Sequence, residues 1–325
     1  MLWLLRNTMF KIINTKNTIN LIFGLTFFVF ALKFLNSNVN INEVYDSSKN
    51  IFLVVITGYF FFCLHVIANF LRWIKFLKLF NPNINTKYCY EPFFISVALN
   101  YALPIKIGDG YRILKNSDKL PLNKKEIFAC VILEKLIDFS VLFFLFFLGL
   151  FLYYKNYFFH DRLYNLVAFL TIIFFLAILF IWLTKKVYIK FKLERFEYIK
   201  LTYYLIFNKK IIQIILITLL SWIFEIITFY LLFKFIFLDV SISKILLSHS
   251  GAILSIALPS GPGLIGPIDY TLSGFFNFFA FEKKNIFIFI TVFHFYIFLT
   301  FFLIFVSWLS KNMLYLLKNR TNTMD

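Results

Sequence analysis

Residues 211–237 read IIQIILITLLSWIFEIITFYLLFKFIF, an apolar stretch whose charged side chains are Glu225 and Lys234. A helix of this length can cross about 30 Å of hydrocarbon, for which roughly 20 apolar residues are enough. Because the stretch is apolar all round, lipid rather than water is its expected solvent. Comparable stretches recur at 19–35, 51–70, 126–152, 163–184 and 285–308. The pattern predicts an all-α polytopic membrane protein with about six full spans.

The composition supports a membrane protein and argues against nucleic-acid binding. Of the 325 residues 61% are hydrophobic, and the mean hydropathy is +0.82, above the usual range of soluble domains. The net charge of +17 is concentrated in two connecting segments, 72–125 and 185–210. Basic loops of this kind face the cytoplasm, so we expect a cell-membrane protein with a cytoplasmic N-terminus and no nucleic-acid partner. The three cysteines show no metal-ligand spacing, and we expect neither a metal nor a cofactor.

Two further apolar stretches, 91–104 and 245–281, are interrupted by proline and glycine. Unwound backbone at membrane depth needs protein or water around it, and re-entrant segments provide such a setting. A re-entrant second stretch would also bring the basic C-terminal tail to the cytoplasmic side, although Lys283 and Lys284 favour the opposite placement. The residues expected at the two breaks are Pro104, Gly108, Pro259 and Pro262.

The two broken stretches occupy equivalent places in the chain. Ala102-Leu103-Pro104 in the first is matched by Ala257-Leu258-Pro259 in the second, and each stretch follows two spans and precedes a third. Three crossings per half would insert the second half upside down, as in many transporters. We therefore expect one integral membrane domain, 1–325, with inverted halves 1–155 and 156–325. Chance recurrence of so short a match is the alternative.

Ionisable residues inside apolar stretches are expensive to bury and are candidates for function. Glu134 and Asp138 lie one helical turn apart and share a face. They would repel each other unless one is protonated or both meet cations, for which Arg112 and Lys106 are the nearest candidates. Such pairs could lock the first broken segment to the third span, serve transport, or do both.

Glu225 is a second intramembrane acid, which either couples to protons or forms a protonated hydrogen bond to a neighbouring helix. The segment Pro259–Asp269 reads PSGPGLIGPID and contains G-x-G-x-x-G, but no βαβ context supports a dinucleotide site. Free amides after such a break would instead favour an anionic group such as phosphate. His249 and His294 are isolated in the sequence and are expected to be hydrogen-bonded core residues.

Three groups of residues, taken together and in order, resemble a known family. They are NYALPIKIGDGYR at 100–112, EKLID at 134–138 and the Pro259–Asp269 stretch. This pattern is similar to the membrane domain of lysylphosphatidylglycerol synthases, which also occurs alone in flippase-like proteins. That family shows Leu-Pro, Gly-Glu-x-x-Arg, Glu-Arg-x-x-Asp and a Pro-Gly turn ending in Glu. Here Asp109 and Asp269 replace Glu, and Lys135 replaces Arg, which loses the bidentate guanidinium fork.

The resemblance implies lipid translocation, with membrane lipids as the partners. It implies a headgroup site formed by Arg112, Lys106, Gly263 and Gly266. It also implies gating or buried charges at Asp109, Glu134, Asp138 and Asp269, to which the position of Glu225 inside an apolar span adds a fifth. The synthases carry a soluble aminoacyl-transferase domain after the membrane part, whereas this sequence ends at Asp325, so aminoacylation is not expected.

Three other functions stay open at the level of sequence. A membrane-embedded enzyme such as a lipid-linked glycosyltransferase would need an aqueous acid pair, for which Glu43 and Asp46 are the candidates. An accessory subunit that binds a glycosyltransferase or another envelope-biogenesis enzyme is the second. A transporter of soluble solutes would share the same architecture. The preferred function is a flippase that moves a lipid or a lipid-linked headgroup.

Overall fold

A computed structural model describes residues 51–102, 107–157, 201, 204–206, 208–237, 241–257 and 262–321. Over these residues the chain is helical and contains no strand. The α-helices are α1 (Ile51–Phe80), α2 (Lys87–Ala102), α3 (Ile107–Lys119), α4 (Lys124–Tyr157), α5 (Ile211–Phe237), α6 (Ile242–Ser255), α7 (Pro267–Phe278) and α8 (Lys283–Thr321). A short 3₁₀ turn, Pro262–Leu264, lies between α6 and α7.

Four helices in the described part of the chain are long and apolar enough to cross a membrane. The spanning stretches are Leu53–Phe80, Lys124–Tyr154, Ile211–Phe237 and Lys283–Trp308. They confirm the spans predicted at 51–70, 126–152, 211–237 and 285–308. The spans predicted at 19–35 and 163–184 lie outside the described residues. The first of the four extends about ten residues further than the apolar pattern suggested, because Arg72 and the apolar residues Trp73, Phe76 and Leu77 near its end are buried.

Each of the predicted broken segments consists of two short helices. In the first, α2 ends at Ala102 and α3 begins at Ile107; the intervening residues, including Pro104 and Lys106, lie outside the described part. In the second, α6 ends at Ser255, and the 3₁₀ turn and α7 follow. Pro259 also lies outside the described residues, whereas Pro262 opens the turn. Gly108, expected at the break, is instead in the first turn of α3.

Local sequence signals account for where several helices begin. At the start of α4, the Asn123 side chain accepts a hydrogen bond from the Glu126 amide at 2.9 Å, and Glu126 accepts one from the Asn123 amide at 2.8 Å. This reciprocal arrangement is a capping box. Ser241 caps α6 by accepting from the Lys244 amide. Pro267 occupies the first turn of α7, where a missing N–H costs nothing.

The helices pack in a pattern that repeats between the two parts of the chain. Helix α1 packs along α5, α4 packs on α6, and α8 packs on α2. Helix α2 contacts α3 as α6 contacts α7, and α3 contacts α4 as α7 contacts α8. If α1, α2–α3 and α4 are exchanged for α5, α6–α7 and α8, the pair α1–α5 maps onto itself and each of the other pairs maps onto another pair in the set. The two broken segments therefore occupy equivalent places in the bundle.

A cluster of aromatic side chains packs helix α7 of the second broken segment against its neighbours. Phe229 and Phe233 of α5, Phe276 of α7, and Phe289 and Phe293 of α8 are all buried. Their neighbouring rings meet edge to face with centroids 5.0–5.2 Å apart, the arrangement that aromatic quadrupoles favour. Helix α7 is therefore held against both α5 and α8 by apolar contacts.

Candidate functional site

The two acids of α4 face a buried arginine of α1. Arg72 is only 2% exposed, and its guanidinium forms a bidentate pair with Asp138, with Nη2 donating to Oδ2 at 3.0 Å. The same guanidinium lies 3.6 Å from a Glu134 oxygen. A buried charge needs partners of this kind because desolvation would otherwise cost several kcal/mol. Arg72 therefore holds α1 to α4 and lies between the two acids.

Arg112 of α3 makes the second buried arginine pair. Its Nη1 and Nη2 donate to the two Glu134 oxygens at 3.1 and 3.2 Å, and Nη2 also reaches Asp109 at 3.3 Å. The guanidinium carbon lies 4.0 Å from the centre of the Trp73 ring, which adds a cation–π contact. Arg112 was expected both to pair with the acids of α4 and to bind a headgroup, and in this conformation it pairs with Glu134 and Asp109. It therefore locks α3, and with it the first broken segment, to α4.

Lys135 completes a group of charges that balance. Its Nζ lies 3.3 Å from Asp109 and 3.6 Å from Glu134, and its side chain is 42% exposed. We call the six residues Arg72, Asp109, Arg112, Glu134, Lys135 and Asp138 the charge network. It contains three acids and three bases, so its formal charge is zero. In this conformation the network has no excess positive charge with which to hold a phosphate.

The charge network also contacts α5. The Trp222 indole N–H donates to Asp138 Oδ1 at 3.2 Å, and Arg72 Nη1 donates to the Thr218 hydroxyl at 3.3 Å. The Nε atoms of both Arg72 and Arg112 are buried without a hydrogen-bond partner. Buried donors of this kind are uncommon, and they leave each guanidinium with one unused donor.

Glu225 has two histidine neighbours. It is 4% exposed, and its Oε2 lies 3.3 Å from His249 Nε2 on α6 and 3.9 Å from His65 Nδ1 on α1. His65 is in turn hydrogen-bonded to Ser221 and Asn69. His249 was expected to be a hydrogen-bonded core residue and Glu225 was expected either to couple to protons or to bond a neighbouring helix, and the two residues meet across α5 and α6. The fold brings both together because α5 packs between α1 and α6.

The second break places an acid and a histidine in direct contact. His294 Nε2 of α8 lies 2.5 Å from Asp269 Oδ1, and His294 Nδ1 lies 3.1 Å from the Gly263 carbonyl oxygen. Asp269 Oδ2 accepts from the Gly266 amide at 2.8 Å. Gly263 and Gly266 adopt φ values of 74° and 110°, a backbone conformation that residues other than glycine rarely adopt. Both glycines are thus explained by the turn, which α8 holds through one imidazole.

A groove open to the surroundings runs between α2 and α8, with a volume of about 490 Å³. It is lined by Tyr90, Glu91, Phe94, Ile95, Leu303, Ile304, Ser307 and Trp308. Glu91 also borders an adjoining hollow of about 360 Å³, which is lined by Lys87, Tyr88 and Lys119 as well. Lys119 Nζ lies 3.2 Å from Glu91. The mostly apolar groove and the hollow with two lysines therefore share Glu91 of α2, beside the first broken segment.

Several residues of this site were not singled out from the sequence. Arg72 was assigned to a cytoplasmic basic loop, but it is buried inside α1. His65 and Asn69 lie on the same helix as Arg72. The spacing of His65, Asn69 and Arg72 at i, i+4 and i+7 puts them on one face of that helix. A polar stripe of that period in an otherwise apolar span is the signal that could have identified them.

The fold and its buried charges define a multi-pass helical membrane protein. Its sequence matches the family model described as the lysylphosphatidylglycerol synthase TM region over residues 21–304, and the chain belongs to that family. The match covers both broken segments and reaches into α8, which confirms the resemblance drawn from the motifs. No match was found among curated proteins or among solved structures.

Proposed function

We propose that this protein is a flippase that moves a lipid or lipid-linked headgroup across the cytoplasmic membrane. The observation that carries the proposal is the groove between α2 and α8. The groove is lined mostly by apolar and aromatic side chains, and the hollow that shares Glu91 with it is also lined by two lysines. An amphipathic anion, with an acyl chain at one end and a phosphate at the other, fits this order of side chains.

The charges near the hollow favour a negatively charged headgroup. Lys87 and Lys119 exceed Glu91 by one positive charge, and a lysine near a membrane surface attracts anionic lipid by about 1 kcal/mol. Tyr111 of α3 is uncharged at neutral pH like any phenol, and burial, with a contribution from Glu91, raises its pKa further to about 12. A phosphate could therefore bind at the rim while its acyl chain stays in the groove.

Opening of the first broken segment would then expose the inner headgroup site. Arg112 is occupied by Asp109 and Glu134 in the present conformation, so a phosphate must compete with those carboxylates. Its buried and unused Nε supplies a donor for that exchange. In the proposed cycle Arg112, Lys106 and the backbone at Gly263 and Gly266 bind the headgroup in turn, and the charge network closes again after release.

The repeated packing pattern supports an alternating-access cycle. Transporters built from inverted repeats place their broken helices near the membrane midplane and rock one half against the other. We propose that the halves 1–155 and 156–325 are related in this way, with six full spans and two re-entrant segments. Both termini would then lie in the cytoplasm, in agreement with the distribution of basic residues.

Reconstitution of the purified protein into liposomes tests this proposal. Fluorescent phosphatidylglycerol, phosphatidylethanolamine and a polyprenyl-phosphate sugar are each placed in the inner leaflet, and quenching from outside is followed with time. We expect at least one anionic lipid to reach the outer leaflet faster than in protein-free liposomes. Equal rates for all three lipids, with protein whose folding is verified by circular dichroism, would contradict the proposal and favour an enzyme or an accessory subunit.

A further inference from the structure

The two broken segments are held by different chemistry. The first is tied down by the charge network, whose bases are two arginines and a lysine. At the second, acids meet histidines: Glu225 meets His249 on the N-terminal side of the break, and Asp269 meets His294 on the C-terminal side. Arginine keeps its charge at every physiological pH, whereas histidine gains and loses a proton in that range. In the described part of the chain, the second segment is therefore the one whose contacts can be broken when a histidine loses a proton.

The contacts of His294 require a proton between its ring and Asp269. A carbonyl oxygen can only accept, so the ring nitrogen facing Gly263, Nδ1, must carry a hydrogen. Nε2 lies 2.5 Å from Asp269 Oδ1, and a lone pair on that nitrogen would face the lone pairs of the carboxylate. A hydrogen must therefore lie between them as well. The pair holds one proton more than a neutral imidazole and a carboxylate would.

The surroundings of Glu225 also call for a proton. Within the described part of the chain, the basic groups within 4.0 Å of its carboxyl are His65 of α1 and His249 of α6, and the Tyr101 hydroxyl of α2 is within electrostatic range. No lysine or arginine of that part neutralises it at that distance. A buried carboxylate without a permanent cation is too costly, so a proton resides on the carboxyl or on an imidazole.

The hydrogen bonds of His65 and His249 decide which of the two rings can carry the proton near Glu225. His65 Nδ1 donates to the Ser221 carbonyl oxygen at 3.0 Å, and its Nε2 accepts from the Asn69 amide at 2.9 Å, so His65 is held neutral. His249 is fully buried, and its Nδ1 has no hydrogen-bond partner. The proton is therefore shared between Glu225 and His249, on the helix that leads into the break.

We propose that Glu225–His249 and Asp269–His294 form a proton-binding site around the second break, and that protons are the coupling ion of transport. The inference rests on the proposed function. In the proton-loaded state His294 ties α8 to α7 and to the turn. Loss of the proton to water leaves a lone pair facing the Asp269 carboxylate, and the two repel. The turn is thus held while the proton is bound and released when it is lost, whereas opening of the first segment requires a phosphate to displace the carboxylates that pair with Arg112.

A transport measurement with a pH gradient tests the coupling. The full chain is reconstituted with fluorescent phosphatidylglycerol, and the translocation rate is recorded with the gradient in either direction. A gradient of one pH unit supplies about 1.4 kcal/mol per proton, so the wild type should respond by up to about tenfold. Asp269→Asn keeps the shape of the side chain but removes one of the two acid–histidine pairs, so its rate should depend on the gradient less than that of the wild type. Asp118→Asn, at an exposed acid, is the matched control and should behave as the wild type.

Nuclear magnetic resonance tests the proton site without any need for transport. The chain has four histidines, so ¹⁵N-labelled rings can be assigned one by one. We expect a ring with both nitrogens protonated at neutral pH, whose signal disappears in His294→Gln and changes to a neutral ring in Asp269→Asn.

A neutral His294 in the wild type would overturn the proton site. Lipid movement in the wild type that ignores the gradient would overturn the coupling but leave the flippase intact. If no lipid moves under any gradient, the flippase is contradicted, the coupling is overturned with it, and the histidine spectra alone decide the proton site.

Discussion

At the scale of the residue, Arg72 is the most consequential side chain of the charge network. It is buried among helices and satisfies Asp138 fully and Glu134 in part. Removal of one member of a buried ion pair is far more damaging than replacement of both, because the survivor keeps its charge without a partner. Single and double replacements can therefore separate the net contribution of the ion pair to stability from the cost of leaving one buried charge unpaired.

Replacement of Asp138 by alanine should destabilise the protein by about 3–5 kcal/mol, because Arg72 would stay buried with only partial compensation. The double variant Arg72→Met/Asp138→Leu should recover most of that loss, since it removes both charges and keeps apolar volume. The free energy of unfolding, measured in bicelles by titration with sodium dodecyl sulfate, checks both values.

The exposed pair Lys115–Asp118 provides the control for this experiment. Its atoms are 3.9 Å apart and its side chains are 46% and 60% exposed, so water screens the interaction. Asp118→Ala should change the unfolding free energy by no more than about 0.5 kcal/mol. Equal effects of Asp118→Ala and Asp138→Ala would show that the charge network does not hold α1 to α4.

Sequence reasoning identified the acids of the site but not all of their partners. Acids inside an apolar stretch stand out, so Asp109, Glu134, Asp138, Glu225 and Asp269 were all found. Bases near the end of a span look like loop residues, and Arg72 was assigned to a loop for that reason. The acid–histidine contacts join residues 24 and 25 positions apart on different helices, and no local spacing reveals such a pair.

At the scale of the element, the first broken segment depends on a very close approach of its two helices. A β-carbon built on Gly108 would lie 2.0 Å from the Ser96 carbonyl oxygen and 2.7 Å from the Asn100 side chain. The Ser96 backbone is part of α2 and cannot yield without displacing that helix. Gly108 is therefore a packing residue of the α2–α3 contact rather than a helix breaker.

Gly108→Ala should destabilise the protein by about 1–3 kcal/mol, because the added methyl group overpacks the contact between α2 and α3. Gly110→Ala should be neutral, or stabilising by up to about 1 kcal/mol, since the same helix has open space there and alanine favours helix. Thermal unfolding of both variants in detergent checks the difference. The same midpoint for the two variants would contradict the close approach of the helices.

The sequence predicted the position of both broken segments but not their internal form. Proline and glycine indicate where a helix cannot continue, and the turn at Pro262–Leu264 lies within the predicted Pro259–Asp269 stretch, whereas Pro104 and Pro259 lie outside the described residues. They do not indicate how long the flanking half-helices are, because that depends on which neighbours bury them. Helix α1 likewise runs to Phe80 because Trp73, Phe76 and Leu77 are fully buried against other elements.

At the scale of the whole molecule, the two broken segments are held by different kinds of contact. The charge network joins α1, α3 and α4 through arginine and lysine, and His249 and His294 join α6 to α5 and α8 to α7. If the proposed proton site exists, the second segment responds to protons and the first does not. A two-state transporter needs an element of this kind, whose equilibrium a ligand or a proton can shift.

The groove between α2 and α8 is the surface on which the flippase proposal depends, and a matched pair of variants addresses it directly. Ile304→Trp places a large side chain inside the groove, whereas Val306→Trp places the same side chain on an exposed part of α8 outside it. The measurement is the ratio of the two initial rates at which phosphatidylglycerol crosses liposome membranes with equal protein content. We expect Ile304→Trp to fall to the protein-free rate and Val306→Trp to keep the wild-type rate. Equal rates for the two variants would contradict a lipid path along this groove.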